Sequence, residues 1–248
     1  MELAGRTALV TGASMGIGRA TAVALRARGM RVLATGLEAG LLDELAHAHG
    51  AEVMPADLSR ADEVERLVEW AGQVDLLVNN AGVGRDEAIG EIDLQTSLQM
   101  LMVNLAAPMR LTAALAPGMV ARGRGHIVNV ASIAGWVGVA HESVYAASKG
   151  GLIAFSESAR YELAGTGVGV TVVVPAAVRT AFFERKGGTY RRTVPRMVPP
   201  ERVAVAIVEA VRRGTAEVFV PRWMIVPARL RGAAPRLYRR LAAGPATR

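Results

Sequence analysis

Thr11-Gly12-Ala13-Ser14-Met15-Gly16-Ile17-Gly18 stands between a short apolar run at residues 7–10 and a segment of helical periodicity at 17–28 that stops at Gly29. Glycines in this place let the chain turn tightly and bring bare backbone close to a ligand. The helix that follows offers unpaired N–H groups and the positive end of its dipole, a combination suited to a pyrophosphate. A plain strand-to-helix turn needs fewer glycines. The stretch therefore reads as the opening of a dinucleotide-binding βαβ unit, with Gly12, Ser14, Met15, Gly16, Ile17 and Gly18 as the cradle.

Outward from this turn, strand-like and helix-like runs alternate. Further strands are expected at residues 31–35, 52–55, 76–79, 127–130, 170–174 and 217–220, all apolar and rich in β-branched side chains. Helices are expected at 41–48, 61–70, 94–122, 145–163 and 201–213. Continuous apolar strands separated by helices indicate a parallel sheet covered on both faces. With right-handed crossovers this is a Rossmann-like, doubly wound α/β sheet of about seven strands, in one domain spanning residues 1–248. The pattern lapses at 181–200, rich in Arg, Gly and Pro, which reads as a lid loop. Beyond residue 221, Pro221, Pro227 and Pro235 cut a basic tail into short pieces.

The composition, 51% hydrophobic and 21% charged, is that of a globular chain. No cysteine occurs, which excludes disulfides, thiolate metal sites and cysteine nucleophiles; no metal site is expected. The longest uncharged stretches, 94–109 and 163–178, fall short of the ~18 apolar residues a spanning helix needs, and no signal sequence opens the chain. A soluble, cytoplasmic protein is the expectation. Net charge is +7, unevenly spread: residues 1–178 carry 13 Lys and Arg against 18 Asp and Glu, and residues 179–248 carry 16 against 4. The basic end suits an acidic partner, an anionic substrate or a membrane surface, or is a solvated tail.

The TGxxxGIG turn resembles that of the short-chain dehydrogenase/reductase family, and the likeness continues through ordered motifs to about residue 220. Asp57-Leu58 matches the family pair at the adenine ring, and Asn79-Asn80-Ala81-Gly82 the NNAG that supports the central sheet and borders the cofactor. Tyr145-Ala146-Ala147-Ser148-Lys149 matches YxxxK. Residues four apart share a helix face, so phenol and ammonium converge. A cation near the phenol favours phenolate, whose ordinary pKa is about 10. The resemblance implies that Tyr145 exchanges a proton with the substrate oxygen, and that Lys149 tunes it and holds the nicotinamide ribose. It further implies that Ser132 orients the substrate oxygen and that Asn104 holds a water in the proton relay. With 27 Arg, the chain has only two Lys, and its four Asn (Asn79, Asn80, Asn104, Asn129) all lie in matched motifs.

After the sixth strand the family has a PG turn. Here the stretch is Val174-Pro175-Ala176-Ala177-Val178-Arg179-Thr180, so Pro175, Val178 and Thr180 are assigned to the nicotinamide, while Ala176 costs about 1–2 kcal/mol if the turn needs positive φ. At the adenosine end, the positions that usually select a nicotinamide are Gly36 and Leu37. Neither an acid nor an arginine is present there; a glycine leaves room for a 2′-phosphate, which slightly favours NADP(H) over NAD(H).

The resemblance places the substrate pocket at Ile133, Ala134, Trp136, Val139 and His141, under a lid that begins with Phe182 and Phe183. These side chains suit a bulky, hydrophobic ketone or alcohol of lipid, steroid-like or polyketide type. Lid arginines Arg185, Arg191, Arg192 and Arg196 suit a carrier-linked substrate bearing phosphate. The tail, with Trp223, Met224, Leu230, Leu237, Tyr238 and Leu241 among arginines, suits peripheral contact with anionic lipid or cover for the pocket. No recognition motif for nucleic acid accompanies the charge. A homodimer or homotetramer through helices at 96–122 and 145–163 is implied by analogy. Two other readings stay open: a non-catalytic dinucleotide-binding protein, and an enzyme of altered net chemistry such as an epimerase or dehydratase.

Overall fold

The computed structural model describes residues 1–187, 190 and 194–242. In chain order the elements are β1 (Thr7–Thr11), α1 (Gly16–Arg26), β2 (Arg31–Gly36), α2 (Ala39–His49), β3 (Glu52–Pro55), α3 (Ala61–Ala71) and β4 (Leu76–Asn79). Then α4 (Leu94–Leu101) runs through a π turn (Met102–Ala106) into α5 (Ala107–Ala121), followed by β5 (Gly125–Val130), α6 (Ile133–Val137), α7 (Ser143–Glu162) and β6 (Val168–Pro175). The chain continues with α8 (Phe182–Arg185), α9 (Pro200–Arg213), β7 (Glu217–Val220), a 3₁₀ turn (Arg222–Met224), α10 (Ile225–Ala233) and α11 (Pro235–Ala242).

The seven strands form one sheet in the order β3-β2-β1-β4-β5-β6-β7, every pairing parallel. Alternation along each strand explains why the strands read as unbroken apolar runs. Ala8 and Val10 of β1 join Leu25, Ile207 and Val211 in the core under α1 and α9. Leu9, between them, joins Leu67, Leu111 and Met119 under α3 and α5. Both faces are covered, so strand positions are apolar except where a buried polar side chain such as Asn79 or Asn129 finds a hydrogen-bond partner. The winding reverses between β1 and β4, and a crevice opens there beyond the carboxyl ends of the strands, the position where doubly wound sheets hold ligands.

Residues Leu94–Ala121 form a continuous helical run of 28 residues, long and apolar enough by length and composition to cross a membrane. It exceeds the uncharged stretch visible in sequence because Arg110 sits on its exposed side. In the fold, Leu111, Leu115 and Met119 lie in the core. Part of 181–200, read as loop, is the short helix α8, and Val178 bridges to Val198. The tail breaks at Pro221 and Pro235, but Pro227 falls in the first turn of α10, where a missing N–H costs no helical hydrogen bond, and does not interrupt it; residues 243–248 lie outside the described residues.

Candidate active site

The crevice has a volume of about 1260 Å³, more than a drug-sized pocket and room enough for a dinucleotide with a second molecule. Its first wall is the glycine turn. A Cβ on Gly18 would stand 2.1 Å from the Gly12 carbonyl oxygen and 2.5 Å from Asn80 Nδ2, and one on Gly12 would stand 2.8 Å from Ala81 Cα. The turn is therefore pressed against the end of β4, and hydrogen bonds hold it there. Asn80 Nδ2 donates to the Thr11 carbonyl at 2.9 Å; Thr11 Oγ1 accepts from the amides of Asn80 at 2.9 Å and Ala81 at 3.0 Å. A buried chain continues below: Asn79 Nδ2 donates to Asn129 Oδ1 (2.8 Å), and Asn129 Nδ2 to Ser156 Oγ (2.7 Å), tying β4 and β5 to α7.

Gly12, Ser14, Met15, Gly16, Ile17, Gly36, Leu37, Asp57, Leu58, Asn80, Ala81 and Gly82 line one continuous surface with Pro175, Val178 and Thr180. Gly18 stands behind the turn and acts through its packing on Gly12. A surface of bare glycine backbone at a helix start fits a dinucleotide. Ala176 needs no strained backbone: its φ is not positive, and its N–H donates to the Val220 carbonyl at 2.8 Å. The cost expected of an alanine at this turn is therefore absent. Glu38, which the sequence reading passed over, also lines the adenosine end, where its carboxylate pairs with Arg185 at 3.1 Å.

The second wall is built on α7. Tyr145 and Lys149 are both buried and both face the crevice, one helical turn apart. Burial pushes the Tyr145 phenol well above its ordinary range; a hydrogen bond with Ser132 works against that shift, and the Glu142 charge adds to it. The nearby lysine does not offset the burial, contrary to the sequence expectation. Lys149 Nζ donates to the Val130 carbonyl at 2.9 Å, and desolvation brings its pKa down to about 8. Ser132 caps α6, its Oγ accepting from the Ala134 amide at 3.2 Å.

Asn104 sits in the π turn, the one irregular turn of the long helix, an irregularity typical of functional positions. Its Nδ2 donates to the Val83 carbonyl (2.8 Å) and Ser148 Oγ (3.0 Å), while Oδ1 accepts from the Val83 amide (2.8 Å). Ser148 in turn donates to the Tyr145 carbonyl at 2.7 Å. Asn104 thus stands behind the crevice wall, fixing α7 through Ser148, a residue hidden in sequence inside the YxxxK spacing. Gly82 is where these groups meet: a Cβ there would stand 3.3 Å from Lys149 Nζ and 3.4 Å from Asn104 Oδ1.

Ile133, Ala134, Val139, His141, Phe182 and Phe183 all line the crevice beyond Tyr145. Trp136 does not; it turns toward Phe219, ring centres 6.4 Å apart. His141 has φ 64, the sole non-glycine residue with positive φ among those described, and its carbonyl accepts from the Glu87 amide. Such strain is kept where surrounding structure imposes it, as at ligand sites. Phe182 lies against Tyr145 at 5.5 Å between ring centres, and Phe183 follows at 6.0 Å. Lys186 is buried, pairs with Glu142, and stands 4.9 Å from the Phe183 ring centre. Of the lid arginines, Arg185 is engaged by Glu38, Arg196 is exposed, and Arg191 and Arg192 lie outside the described residues.

A parallel sheet with a glycine cradle at its winding reversal, facing a buried Tyr–Lys pair, defines a dinucleotide-dependent oxidoreductase. The chain belongs to the short-chain dehydrogenase/reductase family, whose model, described as short chain dehydrogenase, matches residues 6–190. It is 34% identical over 214 residues to the 3-oxoacyl-[acyl-carrier-protein] reductase FabG of Escherichia coli (strain K12), covering 83% of this chain and 87% of that one. A short-chain dehydrogenase from Sphingobium yanoikuyae solved with NADPH is similar at TM-score 0.82 and 28% identity, over 92% of this chain and 94% of that one. A short chain dehydrogenase/reductase from Burkholderia phymatum solved with NAD is similar at TM-score 0.86 and 27% identity, over 96% of each chain.

Proposed function

We propose that this oxidoreductase reduces a bulky, apolar ketone to a secondary alcohol, with Tyr145 as the proton donor. The observation that carries the reading is the convergence of three groups on one space: the Tyr145 phenol, the Ser132 hydroxyl hydrogen-bonded to it and the Lys149 ammonium all line the same wall of the crevice. A neutral phenol beside a serine hydroxyl can donate to a carbonyl oxygen that is gaining negative charge. When bound, the dihydronicotinamide supplies the hydride, and its cradle is the surface from Gly12 to Thr180 described above. Ser132 orients the substrate oxygen. Lys149 holds the ribose and meets the proton demand of Tyr145, and Asn104 keeps α7 in place and offers its remaining Oδ1 lone pair to a relay water.

NADP(H) is the favoured cofactor. Gly36 presents no carboxylate to a 2′-phosphate, and the charge of Glu38 is balanced by Arg185. The apolar wall of Ile133, Val139, Phe182 and Phe183 supports a hydrophobic substrate, free or carrier-linked, since a relative acts on an acyl carrier thioester by its name. Leu94, Leu98, Met109 and Val120, exposed along α4 and α5, support pairing of copies through that helix as a dimer or tetramer. Ala176, in place of the family glycine, carries no backbone strain and so gives no ground for reading the site as a non-catalytic binder.

Titration with NADH and NADPH, followed by dinucleotide fluorescence, is the first test. Saturable binding with tighter NADPH is expected. Tighter NADH refutes the cofactor assignment, and a folded protein that binds neither refutes the enzyme reading.

A further inference from the structure

After Glu217 the chain carries no acidic residue, yet Arg222, Arg229, Arg231, Arg236, Arg239 and Arg240 follow. None of the six stands within salt-bridge distance of a carboxylate among the described residues. Interleaved with them, Trp223, Val226, Leu237 and Leu241 are 48%, 62%, 50% and 66% exposed. The arrangement is most regular in α11. Leu237 and Leu241, four apart, share one face with Tyr238, and Arg236, Arg239 and Arg240 flank it; no residue of this helix is buried. A helix of this length is marginal in water alone, so its apolar stripe calls for a surface to rest on.

We propose that α10 and α11 dock on an anionic bilayer, lying in the interface with the apolar stripe down and the arginines at the headgroups, and that the substrate is an amphiphile drawn from that bilayer. Leucines in a row between arginines match an interfacial helix. An acidic protein partner calls for the charge but not for the leucines. A second copy related by a two-fold axis brings arginine against arginine. The position of the patch supplies the link to function: Trp223, Met224, Pro227 and Tyr238 also line the crevice at its substrate end. The docked face and the crevice mouth are therefore continuous, and an acyl chain passes from one to the other without crossing water. The bilayer as source of substrate rests on the reductase reading; the docking itself does not.

The test is co-sedimentation of the full chain at low salt with phosphatidylcholine vesicles, alone and with phosphatidylglycerol added. Binding to the anionic vesicles only is expected. At about 1 kcal/mol per arginine, the triple variant Arg236→Gln, Arg239→Gln, Arg240→Gln should bind about 100-fold more weakly. Leu237→Glu with Leu241→Glu should abolish binding while thermal unfolding and NADPH fluorescence titration stay unchanged. Failure of the parent chain to bind anionic vesicles, or equal binding by both variants, overturns the proposal. So does dissociation of an oligomer by the leucine variant in sedimentation velocity, which would make a second copy the occupant. Vesicle binding with no ketone turnover leaves the docking intact and sinks the reductase reading alone.

Discussion

Lys186 and Glu142 fasten the short lid helix to the entrance of the helix that carries Tyr145, and the pair can be taken apart one side at a time. Their side chains are 5% and 15% exposed. Removing one partner of a fully buried pair costs about 3–5 kcal/mol, because the other charge is left stranded. Here Glu142 retains some contact with water, and α8 can open without unfolding the domain, so Lys186→Met should favour opening by about 2–3 kcal/mol. That is roughly a 30- to 150-fold larger open population. The amides of Arg185, Lys186 and Gly187 report it directly, since they donate to Ala181, Phe182 and Glu184 carbonyls at 3.0, 3.0 and 3.1 Å. Their native-state hydrogen exchange should accelerate by that factor in Lys186→Met. Adding Glu142→Gln should restore most of the protection, because no charge is then stranded. With Glu142 unpaired, the Tyr145 phenol is pushed up further, and the pH profile of alcohol oxidation should move to higher pH in the single variant only. Exchange within about twofold of the parent, or a double variant as open as the single one, would refute the reasoning.

Tyr145→Phe should lower ketone turnover by about 10²–10⁴-fold while NADPH titration gives an unchanged Kd; retained turnover removes Tyr145 from the chemistry. Gly18→Ala forces a Cβ to within 2.1 Å of the Gly12 oxygen and should weaken dinucleotide binding at least about tenfold, whereas Gly40→Ala, with nothing within 4 Å, should leave it unchanged. His126, buried on β5, has its pKa lowered from 6.5 to about 4, so the unfolded chain binds its proton first and stability falls as pH drops from 6.5 toward 4. The loss is about 3 kcal/mol, and urea titrations of His126→Gln over that range should show a flatter acid limb. Lys149 titrates at about 8 against 10.5 unfolded; the folded state sheds its proton first, so stability rises between pH 8 and 10.5 while NADPH affinity falls. Both trends should vanish in Lys149→Met.

How far these residues could be read without coordinates depends on whether their signal is local. The glycine turn, the strand alternation and the four-residue spacing of Tyr145 and Lys149 are local, and element boundaries at β3, β4 and β7 fall where the sequence puts them. Short helices such as α6 and α8 were missed because a turn or two of helix carries too little periodicity to register. Pairs between distant positions leave no local trace at all: Glu142 with Lys186, Glu38 with Arg185, and the placing of Tyr238 at the crevice. Ala176 misleads in a different way. A family glycine suggests a positive φ, but the turn is set by the bond from Ala176 N–H to Val220, which any residue except proline can make.

The chain's preference for arginine turns out to have a structural reading that composition alone could only hint at. Lys149 and Lys186 are its sole lysines, and no arginine joins them among the buried side chains of the described residues. Arginine is planar, broad and always charged, which suits it to positions that keep contact with water, and none of the described arginines is fully buried. In a closed, desolvated space the requirements differ. Lys149 must fit beneath the Val130 carbonyl beside Gly82, with no more room than a 3.3 Å approach to a Cβ would leave, and must lose or regain a proton near neutral pH. Lys186 must reach Glu142 past the ring of Phe183. A compact ammonium on a flexible stem meets both demands and a guanidinium meets neither. Lys149→Arg and Lys186→Arg are therefore expected to behave as losses rather than as conservative exchanges. NADPH titration and lid hydrogen exchange would show it, and parent-like values in both would remove packing as the reason for lysine at these two sites.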